Sequence, residues 1–233
     1  MRAEQRERQV EIVSNYRLAG SLFLPSKSAI PGPGLLFVHG LGSNQTGYAP
    51  RAERAVAALG AACLTFDLSG HGRSDGDRSN LAPCDHLMDV IAAYDALTSH
   101  EEVDAARIGI CGASYGAYLS AFVPPQRRVR RLLLRAPALY DDEMFNVPLA
   151  YPLQTRADAA APQLVRALHE FRGEVLVLES GADETIPHSV IERYLHTCRS
   201  ARHQIIEGAS HALTTEKWRQ AFLTEIVSFF HGL

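Results

Sequence analysis

Short apolar runs alternate along this chain with longer segments of helical periodicity. Four runs are almost continuously apolar and end at polar or glycine-rich turns; they span residues 34–39, 61–67, 108–112 and 175–180. Two weaker runs cover residues 132–136 and 203–206. Continuous apolar runs of this length are typical of strands that are buried on both faces of a parallel sheet.

The segments between these runs repeat apolar residues at helical spacing. They predict helices over residues 51–59, 85–99, 115–122, 189–198 and 216–230. Near the start, residues 9–24 alternate like an antiparallel hairpin that turns near Ser14 and Asn15. Alternating strands and helices favour one doubly wound α/β domain over residues 1–233, with an active site at the carboxyl ends of the strands.

Composition and charge exclude several classes of protein. Hydrophobic residues make up 46% and charged residues 21%, as in an ordinary globular protein, and the net charge is −3. That charge gives no general reason to expect nucleic-acid binding. The first thirteen residues lack the apolar core of a signal peptide, and no apolar run could cross a bilayer. We therefore expect a cytoplasmic protein that binds neither nucleic acid nor membrane.

The most specific motif is Gly-Ala-Ser-Tyr-Gly at residues 112–116, between an apolar run and a predicted helix. The pattern Gly-x-Ser-x-Gly is short enough to occur by chance. In a strand–turn–helix context, however, it forms a nucleophile elbow, which raises the serine Oγ above the sheet. We predict that Ser114 is a nucleophile. The Tyr115 N–H, at a helix N-terminus, is then placed to stabilise an oxyanion.

A serine hydroxyl needs a base, and after such an elbow an acid and then a histidine follow along the chain. Asp183 lies in the loop after the run 175–180, and it is favoured over Glu184 by the Gly-x-Asp arrangement. The alternative is that Asp183 only shapes a turn. His211 follows the run 203–206 in a loop of small residues, so we predict that it is the base.

A second loop supports the same chemistry. After the run 34–39, His39 is followed by Gly-Leu-Gly, which lets the Leu41 N–H turn inward as a second oxyanion donor. We expect His39 to brace this loop by hydrogen bonding. The glycine-rich segment 67–74 is expected to form tight structural turns.

Four features resemble the α/β-hydrolase superfamily in their order and rough spacing, and together they cover nearly the whole chain. They are the loop at His39, the segment 67–74, the elbow and the pair Asp183/His211. The chain looks most like compact single-domain serine esterases, including cinnamoyl and feruloyl esterases and dienelactone-hydrolase-like proteins. The resemblance implies a mostly parallel eight-stranded sheet with a short cap insertion. Dehalogenases and epoxide hydrolases of this superfamily carry aspartate at the elbow, so Ser114 argues against both activities. Dienelactone hydrolases proper carry cysteine there, which this chain lacks.

The cap insertion is expected over about residues 137–173. It offers possible pocket walls, although each could equally be packing within the cap: Tyr140, Met144, Phe145, Tyr151 and Leu153. The acidic run 141–143 is not expected to bind a metal, because no histidine or further carboxylate has suitable spacing.

The sequence therefore predicts a serine carboxylesterase for small-molecule esters of short or small aromatic acyl groups, requiring no metal or organic cofactor. An acyl thioesterase is the alternative, and acyl-peptide hydrolysis is third. The rival of a different class is a non-catalytic ligand-binding protein on the same scaffold. Nothing in the sequence indicates the oligomeric state.

Overall fold

The computed structural model describes residues 6–26 and 30–233. Within those ranges, one eight-stranded sheet is flanked by six α-helices. The strands are β1 (Arg6–Val13), β2 (Arg17–Leu24), β3 (Gly32–Val38), β4 (Ala62–Phe66), β5 (Val103–Ala113), β6 (Arg131–Arg135), β7 (Glu174–Ser180) and β8 (Ala201–Ile206). The helices are α1 (Ala49–Leu59), α2 (Pro83–Thr98), α3 (Tyr115–Ser120), α4 (Pro162–Glu170), α5 (His188–Thr197) and α6 (Glu216–Phe230).

The sheet is antiparallel only at one edge. The predicted hairpin is present as β1 and β2, with Val13 opposite Arg17 at the turn, and β2 pairs with β4 in the antiparallel sense. From β4 the strand order β4-β3-β5-β6-β7-β8 is parallel throughout. The expected mostly parallel, doubly wound sheet is thus confirmed.

Each face of the sheet is covered by its own layer of helices. Along β3, Leu36 and Val38 join the core formed with α2, α3, α4 and α5, whereas Leu35 and Phe37 join the core formed with α1 and α6. Successive strand side chains point to opposite faces, so a strand buried on both sides must be apolar at every position. This is the physical reason for the continuous apolar runs in the sequence.

A segment inserted between β6 and β7 holds the helix that the sequence analysis did not predict, α4, and a 3₁₀ turn at Asp142–Asn146. The apolar residues of α4 are few but correctly spaced, since Leu164, Ala167 and Leu168 are its buried positions. Backbone hydrogen bonds attach the insertion to the segment before α2: Leu149 N–H donates to Leu81 O at 2.8 Å. No helix in the described part of the chain is both long enough and apolar enough to span a membrane.

Candidate active site

Ser114 lies at the sharp turn between β5 and α3. Its φ of 54° and ψ of −120° are unusual for a residue with a side chain, so this backbone is strained. Hydrogen bonds hold it in place. The Ser114 N–H donates to Arg135 O at 2.8 Å, and Ser114 O accepts from the Ala117 N–H at 3.1 Å.

The two glycines of the elbow are required by close backbone approach. A Cβ at Gly112 would lie 2.6 Å from Gly116 O, and one at Gly116 would overlap the carbonyl oxygens of Val38 and His39. Any side chain here would force β5, α3 and the end of β3 apart. The predicted strand–turn–helix context of the motif is therefore present.

The structure brings Ser114, His211 and Asp183 together from three distant segments. His211 Nε2 lies 3.1 Å from Ser114 Oγ, and His211 Nδ1 lies 2.8 Å from Asp183 Oδ2. The other carboxylate oxygen of Asp183 accepts the N–H groups of Thr185 and Ile186, at 2.9 and 2.8 Å. The competing carboxylate, Glu184, is exposed to solvent.

The environment of Asp183 favours its ionised form. Its side chain is only 3% exposed, and this burial raises the pKa. The hydrogen bond from His211 and those from the Ile186 and Thr185 amides outweigh burial, so the pKa of Asp183 is lowered overall. A carboxylate facing His211 Nδ1 requires a proton on that nitrogen. Nε2 is then a hydrogen-bond acceptor aimed at the Ser114 hydroxyl.

The loop after β3 passes directly beside Ser114. A Cβ at Gly40 would lie 3.3 Å from Ser114 Cβ and 3.9 Å from Ser114 Oγ. The N–H groups of Leu41 and Tyr115, both predicted oxyanion donors, have no hydrogen-bond acceptor among residues 6–26 and 30–233. Two unpaired backbone N–H groups beside a serine Oγ could stabilise negative charge on a carbonyl oxygen.

Three buried histidines support this loop and the segments next to it. His39 has the expected bracing contacts: its Nδ1–H donates to Gly40 O at 2.8 Å, and its Nε2 accepts the Leu68 N–H at 3.0 Å. His71 Nε2 accepts the Gly42 N–H at 3.2 Å. His86 accepts the Tyr115 hydroxyl hydrogen on Nδ1 at 2.8 Å and donates from Nε2 to Ser69 O at 3.0 Å.

Each of these rings must be neutral, because each accepts a hydrogen bond on one nitrogen. Burial is also the main cause that lowers the pKa of His39 and of His86 to about 4, and it lowers the pKa of His71. No sequence motif singled out His71 or His86 as a supporting residue. The only sequence signal was the position of His71 between two glycines of the segment 67–74.

The candidate pocket residues of the insertion have different surroundings. Tyr140 is buried, with its ring centroid 4.9 Å from that of Tyr118, and Phe145 lies 5.2 Å from Phe122 by the same measure. Met144 and Leu153 are half-buried against the core, whereas Tyr151 is 63% exposed. Their role as pocket walls remains a prediction.

The acidic run 141–143 is used within the insertion. Asp141 Oδ1 accepts the Ala160 N–H at 2.7 Å, and Asp142 Oδ2 accepts the Gln163 N–H at the start of α4 at 2.8 Å. Throughout the described residues, no group of three or more His, Cys, Asp or Glu side chains is suited to hold a metal ion.

Arg135 is a further residue that the sequence analysis did not assign. It is the last residue of β6, it is buried, and its Nη2–H donates to the carbonyl oxygen of His211 at 2.7 Å. The available sequence signal was an arginine that ends an apolar strand.

Residues 31–164, more than half of the chain, match the family model described as serine aminopeptidase, S33. An uncharacterized protein of Mycobacterium tuberculosis strain H37Rv is 31% identical over 206 residues, which cover 87% of this chain and 70% of that protein. A mitochondrial palmitoyl-protein thioesterase of Mus musculus is 28% identical, covering 71% of this chain and 52% of the relative.

Among solved structures, Est1E of Butyrivibrio proteoclasticus with bound ferulic acid aligns with a TM-score of 0.77. The alignment covers 94% of this chain and 97% of Est1E at 17% sequence identity, so it shows the fold alone. Together with the family match, it confirms the resemblance that the sequence motifs indicated.

Proposed function

The chain belongs to the serine aminopeptidase S33 family of α/β hydrolases, and on that premise we propose that it is a serine carboxylesterase acting on small-molecule esters. The observation that carries this proposal is the continuous contact from Ser114 Oγ through His211 to Asp183, at 3.1 and 2.8 Å. This is the arrangement of nucleophile, base and orienting acid that acyl transfer requires.

The reaction proceeds through an acyl-enzyme. Ser114 Oγ attacks the ester carbonyl carbon while its proton passes to His211 Nε2, and the resulting oxyanion accepts hydrogen bonds from the Leu41 and Tyr115 N–H groups. His211 then protonates the leaving alcohol as the C–O bond breaks. Water attacks the acyl-enzyme with His211 again as base, which releases the carboxylic acid and restores the Ser114 hydroxyl. Asp183 stabilises the imidazolium in both halves of the reaction.

The insertion supports a preference for short or small aromatic acyl groups. It is tied to the segment before α2, and its buried Tyr140 ring lies 4.9 Å from that of Tyr118 on α3, the helix that begins at the elbow. The bound ferulic acid of Est1E is an aromatic acid held on the same fold.

A thioesterase is the second candidate, and the similarity to the mouse palmitoyl-protein thioesterase favours it. The same attack, oxyanion and proton transfers cleave an acyl thioester, with a thiol as the leaving group. The two activities differ in which substrate shows the higher kcat/KM, so a panel of p-nitrophenyl esters and acyl-CoA thioesters separates them. An aminoacyl anilide in the panel tests for peptide hydrolysis.

The nucleophile is tested by Ser114→Ala. A fluorophosphonate probe should label the wild-type protein at Ser114, and the variant should lose both labelling and ester turnover, by a factor on the order of 10⁶ in kcat. The matched control is Ser200→Ala, at an exposed serine just before β8. Undiminished esterase activity in Ser114→Ala would refute the proposed mechanism.

A further inference from the structure

Arg135 contacts two of the three segments that carry the candidate triad, and the strand that leads to the third. Its backbone carbonyl accepts the Ser114 N–H at 2.8 Å. Its guanidinium donates from Nη2 to His211 O at 2.7 Å and from Nη1 to Ser180 Oγ at 2.9 Å. Ser180 ends β7, three residues before Asp183. One residue therefore links the three segments: its backbone holds the nucleophile turn, and its side chain joins the loop of the base to the strand of the acid.

Within residues 6–26 and 30–233, no carboxylate contacts the Arg135 guanidinium directly. The guanidinium lies 5.7 Å from the Phe222 ring of α6, and its Nε is buried without a hydrogen-bond partner among the described residues. The titratable groups that face it are Tyr48 and Arg51 at the start of α1, Cys111 on β5, and Asp183. Of these, Asp183 alone is an anion at neutral pH, because burial raises the pKa of both Tyr48 and Cys111 to about 12.

Fold stability alone does not explain why a cation is buried at this position. Burying a guanidinium is unfavourable unless it is well paired, and replacing buried charges by apolar side chains of similar volume is often neutral or stabilising. Burial lowers the pKa of Arg135, as expected for a cation with incomplete compensation. A methionine could fill the same space between β6 and α6 without that penalty.

We propose that Arg135 is a positioning residue for the candidate triad. Its guanidinium fork, formed by the Nη1 and Nη2 donors, fixes the loop of His211 to the end of β7, and its charge acts on Asp183 and His211. This inference rests on the proposed function. The fork and the charge have separable consequences. A loosened His211 loop lowers kcat, since a displacement of about 1 Å in a catalytic group can cost on the order of 10²-fold. A positive charge near an imidazole disfavours its protonated form, so losing the charge moves the acidic limb of the pH–rate profile to higher pH.

The experiment compares Arg135→Lys and Arg135→Met in the whole chain, with p-nitrophenyl acetate as substrate. Rates are expressed per active site titrated with a fluorophosphonate, which removes any effect of a reduced folded fraction. Arg135→Lys keeps the charge but loses the fork, so kcat should fall about tenfold while the acidic limb of kcat/KM stays in place. Arg135→Met should lose on the order of 10²-fold in kcat and shift the limb to higher pH, with KM little changed.

Arg131→Met is the matched control on the same strand. Arg131 lies at the opposite end of β6, where it pairs with Glu174 at 2.7 Å and donates to the carbonyl oxygens of Phe229 and His231. Its loss should lower the melting temperature without changing kcat or the pH profile per titrated site.

Wild-type kcat and an unshifted limb in both Arg135 variants would overturn the inference. If Arg135→Met does not fold, Arg135→Lys and Ser180→Ala decide. Ser180→Ala removes one partner of the fork, so a several-fold loss of kcat with an unshifted limb is expected, and unchanged kcat in both variants would be contrary to the proposal. An inactive Ser114→Ala beside fully active Arg135 variants rejects only this inference, whereas an active Ser114→Ala rejects the proposed function itself.

Discussion

Replacing Asp183 by asparagine tests the candidate acid through a single proton. Asp183 Oδ1 accepts two backbone N–H groups, from Thr185 and Ile186, while Oδ2 faces His211 Nδ1. In Asp183→Asn the amide oxygen must keep the Oδ1 position, because an NH₂ group there would face two donors. The NH₂ group therefore points at His211 Nδ1 and requires that nitrogen to be unprotonated. The imidazole proton moves to Nε2, where it faces Ser114 and blocks proton abstraction.

The expected loss of kcat follows from this change of tautomer. A wrong tautomer lowers kcat by a factor on the order of 10⁴, which is about 5.4 kcal/mol at 1.36 kcal/mol for each tenfold change. The substitution is isosteric and preserves the contacts with both backbone amides, so melting at pH 7 should change far less than turnover does. The measurements are kcat for p-nitrophenyl acetate and the rate of fluorophosphonate labelling, which should fall together.

Glu184→Gln is the control, at an exposed carboxylate next to Asp183 in the same loop. We expect its kcat to remain within about twofold of the wild type, as is usual for surface substitutions away from structural features. If Glu184→Gln reduces kcat more than Asp183→Asn does, the assignment of the acid is wrong.

Two further predictions concern acid stability and acyl specificity. The pKa values of His39 and His86 are about 4 in the folded chain, below the ordinary value of 6.5. The free energy of unfolding should therefore decrease by about 3 kcal/mol for each group as the pH falls from about 6.5 to 4. In His86→Gln, the free energy of unfolding measured with urea should depend less steeply on pH than in the wild type. An equally steep dependence would contradict this prediction. For specificity, kcat/KM should peak at short or cinnamoyl acyl groups, and Tyr140→Ala or Phe145→Ala should flatten that preference more than it slows acetyl ester cleavage. A continued rise up to palmitoyl esters would instead indicate a long-chain thioesterase or lipase.

The parts of the molecule that the sequence predicted are those with local signals. A strand buried on both faces requires apolar residues at successive positions, so β3 and β4 are visible as runs. The elbow is equally local, because Gly112 and Gly116 exclude side chains within a few residues of Ser114. Helix α4 was missed because its nine residues carry only one short apolar stripe.

The supporting residues depend on contacts that no local pattern contains. The hydrogen bond from Gly42 to His71 joins positions 29 residues apart, and that from Arg135 to His211 spans 76. A histidine between glycines and an arginine at a strand end each have an ordinary surface explanation. Only the burial of His71 and Arg135 distinguishes a supporting role from an ordinary surface position, and burial cannot be read from the sequence.

The residues that support the candidate oxyanion donors and those that support the candidate base differ in charge. The oxyanion side is held by three imidazoles that the hydrogen bonds require to be neutral, and the pKa of His39 and of His86 is about 4. In the proposed mechanism, negative charge on the substrate oxygen would therefore meet backbone N–H groups, and none of these three supporting imidazoles would add a positive charge there. The base side instead has one buried cation, Arg135, and one carboxylate, Asp183. That cation acts where the proposed base is held, because Arg135 Nη2–H donates to the carbonyl oxygen of His211.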